Sequence, residues 1–253
     1  MRRIFFFLLV LGLFYWSGSG LEAWAQSASI PGVNISITPD ATPQQTVFSV
    51  QLLLLFTTLA LAPTLLVMVT PFTRIIIVLS FLRQALGTQQ SPPNQVLVGI
   101  AFFMTLFITM PMFTEANTQG VQPFLKQEIT QEQAFERSLA PFRRFMLKQV
   151  RQDDLELYLT LSKSERPKVP EDVATHVLIP AFITSELKTA FIIGFLVYVP
   201  FLIIDMVVAS TLMSMGMMML SPTVISLPFK LVLFVLIDGW NILSQALVGS
   251  FFT

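Results

Sequence analysis

Apolar residues in this chain gather into long runs separated by short polar breaks, and the runs predict the architecture. The first covers about 47–69 and is stopped by Thr70-Pro71. Apolar character resumes over 72–86, interrupted only by Arg74 and Arg83. Residues 89–93 read as a loop, with Asn94 placed to cap the next helix. Further runs cover about 96–113, 189–213 and 223–248. All four long runs approach or exceed the ~20 residues a helix needs to cross a bilayer core. Each contains a proline, Pro63, Pro111, Pro200 or Pro228. Broken helices are tolerated where protein rather than lipid surrounds them, so some faces of these runs are expected to pack on protein.

Two stretches do not follow this pattern. Residues 26–46 are polar, with Pro31, Pro39 and Pro43, and read as a flexible segment. Residues 115–172 hold 19 of the chain's 30 charges, nine basic and ten acidic. Within them Phe135, Leu139, Phe142, Met146 and Val150 share one face of a helix. Pro141 is expected to kink that helix or to begin a second one. Asp153-Asp154 suits the positive end of another. The expected organisation is an N-terminal signal segment (1–25), a flexible stretch (26–46), a first hydrophobic hairpin region (47–114), a charged helical domain facing water (115–176) and a second hydrophobic hairpin region (177–253).

Composition sharpens this all-α, membrane-associated reading. Of 253 residues, 54% are hydrophobic and 12% charged, about half the ~25% charged residues of a soluble domain. Mean hydropathy is +0.72. Net charge is zero, which argues against nucleic acid as a partner. With no cysteine and His176 as the single histidine, thiol chemistry and a His-based metal site are not expected. Arg2 and Arg3 precede an apolar stretch at 4–13, and Ala23-Trp24-Ala25 fits a signal-peptidase site. Cleavage after Ala25 would leave Gln26 first and place that end outside the inner membrane. Arg74 and Arg83, in a short acid-free loop, then mark the inside, and 115–188 falls outside.

The densest local signal lies between the last two runs. Met213-Ser214-Met215-Gly216-Met217-Met218-Met219 holds five of the chain's twelve methionines. Methionine is unbranched and polarizable, so such a run suits a surface that conforms to irregular partners. Asp205 and Lys230 flank it 13 and 12 residues from Met218, at similar depth on the two arms. Spacing leaves open whether they pair within one hairpin, bridge subunits of a ring, or relay ions. Glu186 and Lys188, two positions apart, point in different directions on a helix. Arg74 and Arg83 read as snorkelling cations. The chain contains no GxxxxGK[ST] or HExxH, and Asp238-Gly239 lacks the partner motif of an intramembrane aspartyl protease, so no catalytic residue, cofactor or metal is expected.

Longer blocks resemble a known family. They are Thr73-Arg74-Ile75-Ile76-Ile77-Val78-Leu79, Leu82-Arg83-Gln84-Ala85-Leu86-Gly87 and Pro92-Pro93-Asn94-Gln95-Val96-Leu97. Pro180-Ala181-Phe182, Ser185-Glu186-Leu187-Lys188-Thr189-Ala190-Phe191 and Pro200-Phe201-Leu202-Ile203-Ile204-Asp205 follow. Gly216-Met217-Met218-Met219, Ser226-Leu227-Pro228-Phe229-Lys230 and Asp238-Gly239-Trp240 complete the set. Together they resemble the FliP family over roughly 50–115 and 177–245. The resemblance implies a core pore-forming subunit of the flagellar type III export gate. It implies a homo-oligomeric ring, a pentamer in the family, working with FliQ, FliR and FlhB to pass unfolded axial proteins. It also implies helical hairpins standing largely above the bilayer plane. The family's methionine loop constricts the closed pore and maps to Met217, Met218 and Met219. Family intersubunit charges map to Glu186, Asp205 and Lys230. A virulence injectisome homologue is the near alternative, though those proteins usually lack a cleavable signal. An ion-coupled transporter or an intramembrane enzyme is a more distant one.

Overall fold

A computed structural model describes residues 43–253, apart from Gln89, 164–166, Lys168, Met218 and Thr253. The expected signal segment 1–25, its Ala25–Gln26 cleavage point, the stretch 26–42 and Met218 lie outside the described residues. The chain divides into two compact units, Met1–Phe56 and Thr57–Thr253. The described residues of the first unit belong to the opening part of α1 (Pro43–Met68).

The described elements are all helical. After α1 come α2 (Phe72–Leu86) and α3 (Asn94–Ala116), which passes through a π-helical turn (Asn117–Val121) into the short α4 (Gln122–Leu125). The charged stretch forms α5 (Gln131–Gln149), α6 (Gln152–Ser162) and a 3-10 turn (Pro170–Asp172). The last part comprises α7 (Thr175–Ser214), α8 (Pro222–Leu236) and α9 (Gly239–Gly249). Among the described residues three helices are long and apolar enough to cross a membrane: Val47–Thr64, Asn94–Leu125 and Thr175–Ser214. The pair α8 and α9 would make a fourth span, bent by 66°.

Within the second unit, α2 is the structural centre. Its Ile75, Val78, Leu79, Leu82, Ala85 and Leu86 are buried at helical spacing. They pack against Leu97 and Ala101 of α3, Ala190 and Phe201 of α7, Phe234 of α8 and Leu243 and Leu247 of α9. Each large apolar side chain buried this way stabilises the fold by about 1.5–3 kcal/mol. A second cluster joins Met146 of α5 to Val177, Leu178 and Phe182 of α7. The charged stretch is thereby seated on the first half of α7, in the same unit as the apolar helices.

The structure departs from several expectations. Pro141 does not begin a second helix, and α5 continues through it. What starts α5 is a capping box: Thr130 Oγ1 accepts from the Gln133 amide while the Gln133 side chain accepts from the Thr130 amide. Of the α5 stripe, Phe135 is 68% exposed and Met146 is buried. Asn94 is the first residue of α3 and does not cap it, because its Oδ1 accepts from Arg83 instead, 2.5 Å away. The run expected to begin near 189 belongs to a 40-residue helix that starts at Thr175 and includes both Pro180 and Pro200. That helix is ~60 Å long at ~1.5 Å per residue, about twice the bilayer core.

The sharp break falls elsewhere, at Asp238, which takes a left-handed φ of 52° between α8 and α9. Glycine follows for a steric reason. A Cβ at Gly239 would lie 2.2 Å from a ring carbon of Phe234. The absent side chain lets the Phe234 ring fold under the bend, where it meets Trp240 edge-on at 5.4 Å.

Candidate functional site

The methionine run sits at the tip of the α7–α8 hairpin, and its shape is set by a helix stop. Gly216 adopts φ 73°, its amide donates to Met213 O at 3.1 Å, and the Met217 amide reaches back to Leu212 O at 3.0 Å. This is a Schellman ending, which needs a residue that tolerates the left-handed region. Pro222 then opens α8 at a position where a missing N–H costs nothing. Between these two fixed ends Met217 is 41% exposed and Met219 fully exposed. Met213 and Met215 are exposed as well. The loop therefore presents thioether side chains outward, Met219 wholly and Met213, Met215 and Met217 in part.

Just below the tip, a buried polar lock joins the two arms. Lys230 is 3% exposed, and its Nζ donates to Asp205 Oδ2 at 2.6 Å and to Ala85 O at 3.0 Å. Asp205 also accepts from Ser226 Oγ at 2.5 Å. Asp205 and Lys230 thus pair within one chain. The same ammonium also binds a carbonyl in the last turn of α2, where a helix has unsatisfied acceptors and a negative dipole end.

Glu186 lies far from this lock, at the other end of the fold. It is fully buried against Arg74. Arg74 Nε donates to Glu186 Oε2 at 2.8 Å and Nη2 to Glu186 Oε1. The guanidinium also donates to Gln149 Oε1 at 3.0 Å, Ser250 Oγ at 3.0 Å and Ser250 O at 3.2 Å. Its Cζ lies 3.9 Å from the centre of the Phe251 ring. One arginine therefore ties α2 to α5, α7 and the C-terminal turn, using its planar fork fully. Arg74 does not snorkel, as the sequence led us to expect, because a carboxylate 112 positions away receives it.

The adjacent Ser185 forms a third connection. Its Oγ donates to Asp154 Oδ2 at 2.8 Å and accepts from the Arg151 amide at 3.0 Å, fixing the start of α6 to α7. Lys188, two positions from Glu186, is exposed. Sequence reasoning missed Arg74, Ser185 and Asp154 as polar anchors. The available signal was that Arg74 and Ser185 interrupt otherwise apolar helices, where a polar side chain is costly unless it has a partner. The structure brings Asp205 and Lys230 together and holds Glu186 apart from them. The methionines extend beyond both.

Comparison with known proteins follows the same blocks. A family profile described as the FliP family matches residues 55–247. The chain is similar to the flagellar biosynthetic protein FliP of Bacillus subtilis (strain 168), 49% identical over 217 residues, which cover 86% of this chain and 98% of that relative. Against the protein of the same description from Pectobacterium carotovorum subsp. carotovorum, identity is 49% over 245 residues, covering 97% and 92%. For Caulobacter vibrioides it is 50% over 229 residues, covering 90% and 84%.

Proposed function

The chain belongs to the FliP family, and on that premise we propose that it is a non-catalytic, pore-forming subunit of the flagellar type III export gate in the bacterial inner membrane. Copies of it form a ring, a pentamer, together with FliQ, FliR and FlhB, through which unfolded flagellar proteins pass. The observation that carries this reading is a methionine tip left exposed on a hairpin locked from within by buried charges. Heterologous contacts repeated around an axis make a ring when the rotation closes. Such a ring would bring the tips of all copies together on one axis. Exposed apolar side chains on the outer faces, among them Phe195, Ile203 and Met206 of α7 and Phe229, Val232 and Val235 of α8, supply area for neighbours.

In this reading Met217, Met218 and Met219 form the seal. An apolar constriction blocks ions by dewetting, and flexible thioethers repack around a passing chain. The charged stretch 115–172 faces the periplasm and serves assembly, and the segment before Gln26 is removed on export.

The test is genetic and electrical. Deleting the gene should abolish swimming in soft agar, and the intact gene should restore it. Deletion that leaves swimming unchanged would overturn the flagellar assignment, and loss of effector secretion alone would point to an injectisome. Replacing Met217, Met218 and Met219 together by alanine should leave a fully assembled but leaky gate, measured as membrane conductance in cells making all gate proteins. A triple-alanine gate as tight as wild type would remove the seal from the proposal.

A further inference from the structure

Between Asp205 and Lys230 the chain carries no charged residue and no histidine. What it carries instead is sulfur. Met213, Met215, Met217 and Met219 alternate along the tip of the α7–α8 hairpin, and two tight turns gather them. In the Schellman ending the Met217 amide reaches Leu212 O at 3.0 Å, which folds Met217 back beside the end of α7, where Met213 and Met215 sit. A second turn follows, closed by the Leu220 amide on Met217 O at 3.3 Å, and it keeps Met219 within the same few residues. Space beside the first turn is open, because no atom beyond its chain neighbours lies within 4 Å of where a Cβ of Gly216 would sit.

The hydroxyls near the tip are already committed. Ser214 Oγ donates to Thr211 O at 3.0 Å, Thr211 Oγ1 donates to Val207 O at 2.8 Å, and Ser221 and Thr223 share a bond of 2.8 Å. The side-chain donors left to an ion at the tip are neutral thioethers on flexible stems. The other described methionines, Met68, Met104, Met110, Met112, Met146 and Met206, are spread over α1, α3, α5 and α7. His176 lies at the opposite end of α7.

Thioether sulfur is a soft donor, and soft donors select Cu(I), whereas carboxylates, carbonyls and water suit the harder divalent ions. The lack of cysteine and of a second histidine argues against the sites those residues build, but methionine is a separate class of ligand. We propose that the hairpin tip is a binding site for a soft monovalent cation, Cu(I) or its analogue Ag(I), held by sulfurs of Met213, Met215, Met217 and Met219 of one chain. A neutral ligand set suits a monovalent ion, because no carboxylate at the tip offsets a second charge. The site needs a single chain, so it stands apart from the export reading, and its test reads retained metal rather than secretion.

The test uses the full-length protein extracted in mild detergent, incubated in chloride-free buffer with Ag(I) or Zn(II), desalted and weighed by native mass spectrometry. Wild type should retain one Ag(I) per chain and no Zn(II). Met213→Leu with Met215→Leu and Met217→Leu should lose the ion, because leucine is close to methionine in volume and lacks the sulfur. Met110→Leu, at an exposed methionine on α3, should keep it. A second measurement needs no variant. Hydrogen peroxide transfers an oxygen atom to a thioether, giving the sulfoxide and water, and a bound Ag(I) occupies the sulfur lone pair that attacks. Ag(I) should therefore slow sulfoxide formation in the tip peptide and leave Met110 unchanged, as read by peptide mass spectrometry. Equal oxidation of the tip with and without Ag(I) would overturn the proposal, whatever the variants do. So would wild type that retains no Ag(I), or holds Zn(II) as well as Ag(I). An ion kept by the triple variant would overturn it too, by placing the metal elsewhere. One ion per oligomer instead of one per chain would likewise overturn it, making the sulfurs a contact between copies.

Discussion

The two halves of α7 differ in apolar content, 8 of 16 residues in 175–190 against 18 of 24 in 191–214, yet it is the less apolar half that the fold buries. In 175–190, Val177, Leu178, Ala181, Phe182, Ser185, Glu186 and Ala190 are buried. Beyond Phe191 the exposed side chains dominate, and Phe201 is the one fully apolar position buried against α8 and α2. Burial therefore runs against hydrophobicity here. It follows the polar residues. The first half carries Ser185 and Glu186, which take up Asp154 and Arg74 and so fix where α6 and α2 dock. The second half carries Asp205, which binds one neighbouring arm through Lys230 and Ser226. A helix locked by polar contacts on several sides is finished within its own chain. A helix locked on one side keeps its other faces for other molecules.

The strongest way to break this contrast is at the first lock. Glu186→Ala leaves the Arg74 guanidinium buried without its carboxylate, a loss of about 3–5 kcal/mol. Thermal unfolding in detergent and abundance in the membrane should both fall sharply. Arg74→Met with Glu186→Leu removes both charges at similar volume and should recover most of that loss. A double variant as poor as the single one would show that the charges matter for something other than pairing.

At the second lock the expected loss is smaller. The Asp205 side chain keeps partial access to solvent, so Lys230→Ala should cost about 1–3 kcal/mol. The damage should concentrate near the tip, seen as faster protease cleavage around 213–221 with α2 and α5 still protected. Equal loss of protection at α5 would make the two halves one cooperative unit. Gly239→Ala should cost about 1–3 kcal/mol, since its methyl must displace the packed Phe234 ring. The loss should appear at the α8–α9 bend in the same protease assay. An unchanged melting temperature would mean that the bend is loosely packed.

These contrasts also mark how far the sequence can be read. Long apolar runs identified the helices because periodicity and length are local properties. The stop at Thr70-Pro71 and the methionine tip were legible for the same reason, and the blocks around Ser185-Glu186 and Lys230 were long enough to identify the family. The Arg74–Glu186 pair was not legible, because 112 residues separate partners that only the packing of α2 on α7 brings together. Spacing around Met218 placed Asp205 and Lys230 at one depth, but the Ala85 carbonyl that completes the lock comes from another helix. Prolines suggested broken helices, whereas α7 accommodates two of them and the chain breaks at Asp238. At that bend the ring of Phe234 packs so closely on Gly239, five positions on, that a Cβ would not fit, and no periodicity in the sequence marks that approach.

The smallest effects separate two neighbouring arginines that look alike in sequence. Arg143 donates to Glu171 O at 2.9 Å, to Val173 O at 2.5 Å and to the Thr175 hydroxyl. It thus holds the 3-10 turn and the start of α7 against α5, on the side of the molecule where α7 is finished. Arg144 makes a partly exposed pair with Glu115. Hydrogen bonds from a charged donor contribute about 1.5–3 kcal/mol, but Arg143 lies near water, and a truncated side chain lets solvent reach the freed carbonyls. Arg143→Ala should therefore cost about 1–2 kcal/mol, and Arg144→Ala no more than about 1 kcal/mol, as exposed ion pairs do. Melting curves of the two variants in the same detergent decide the order. Equal losses would mean that the carbonyls of Glu171 and Val173 find other donors. The first half of α7 would then be held by its buried pair and apolar packing alone.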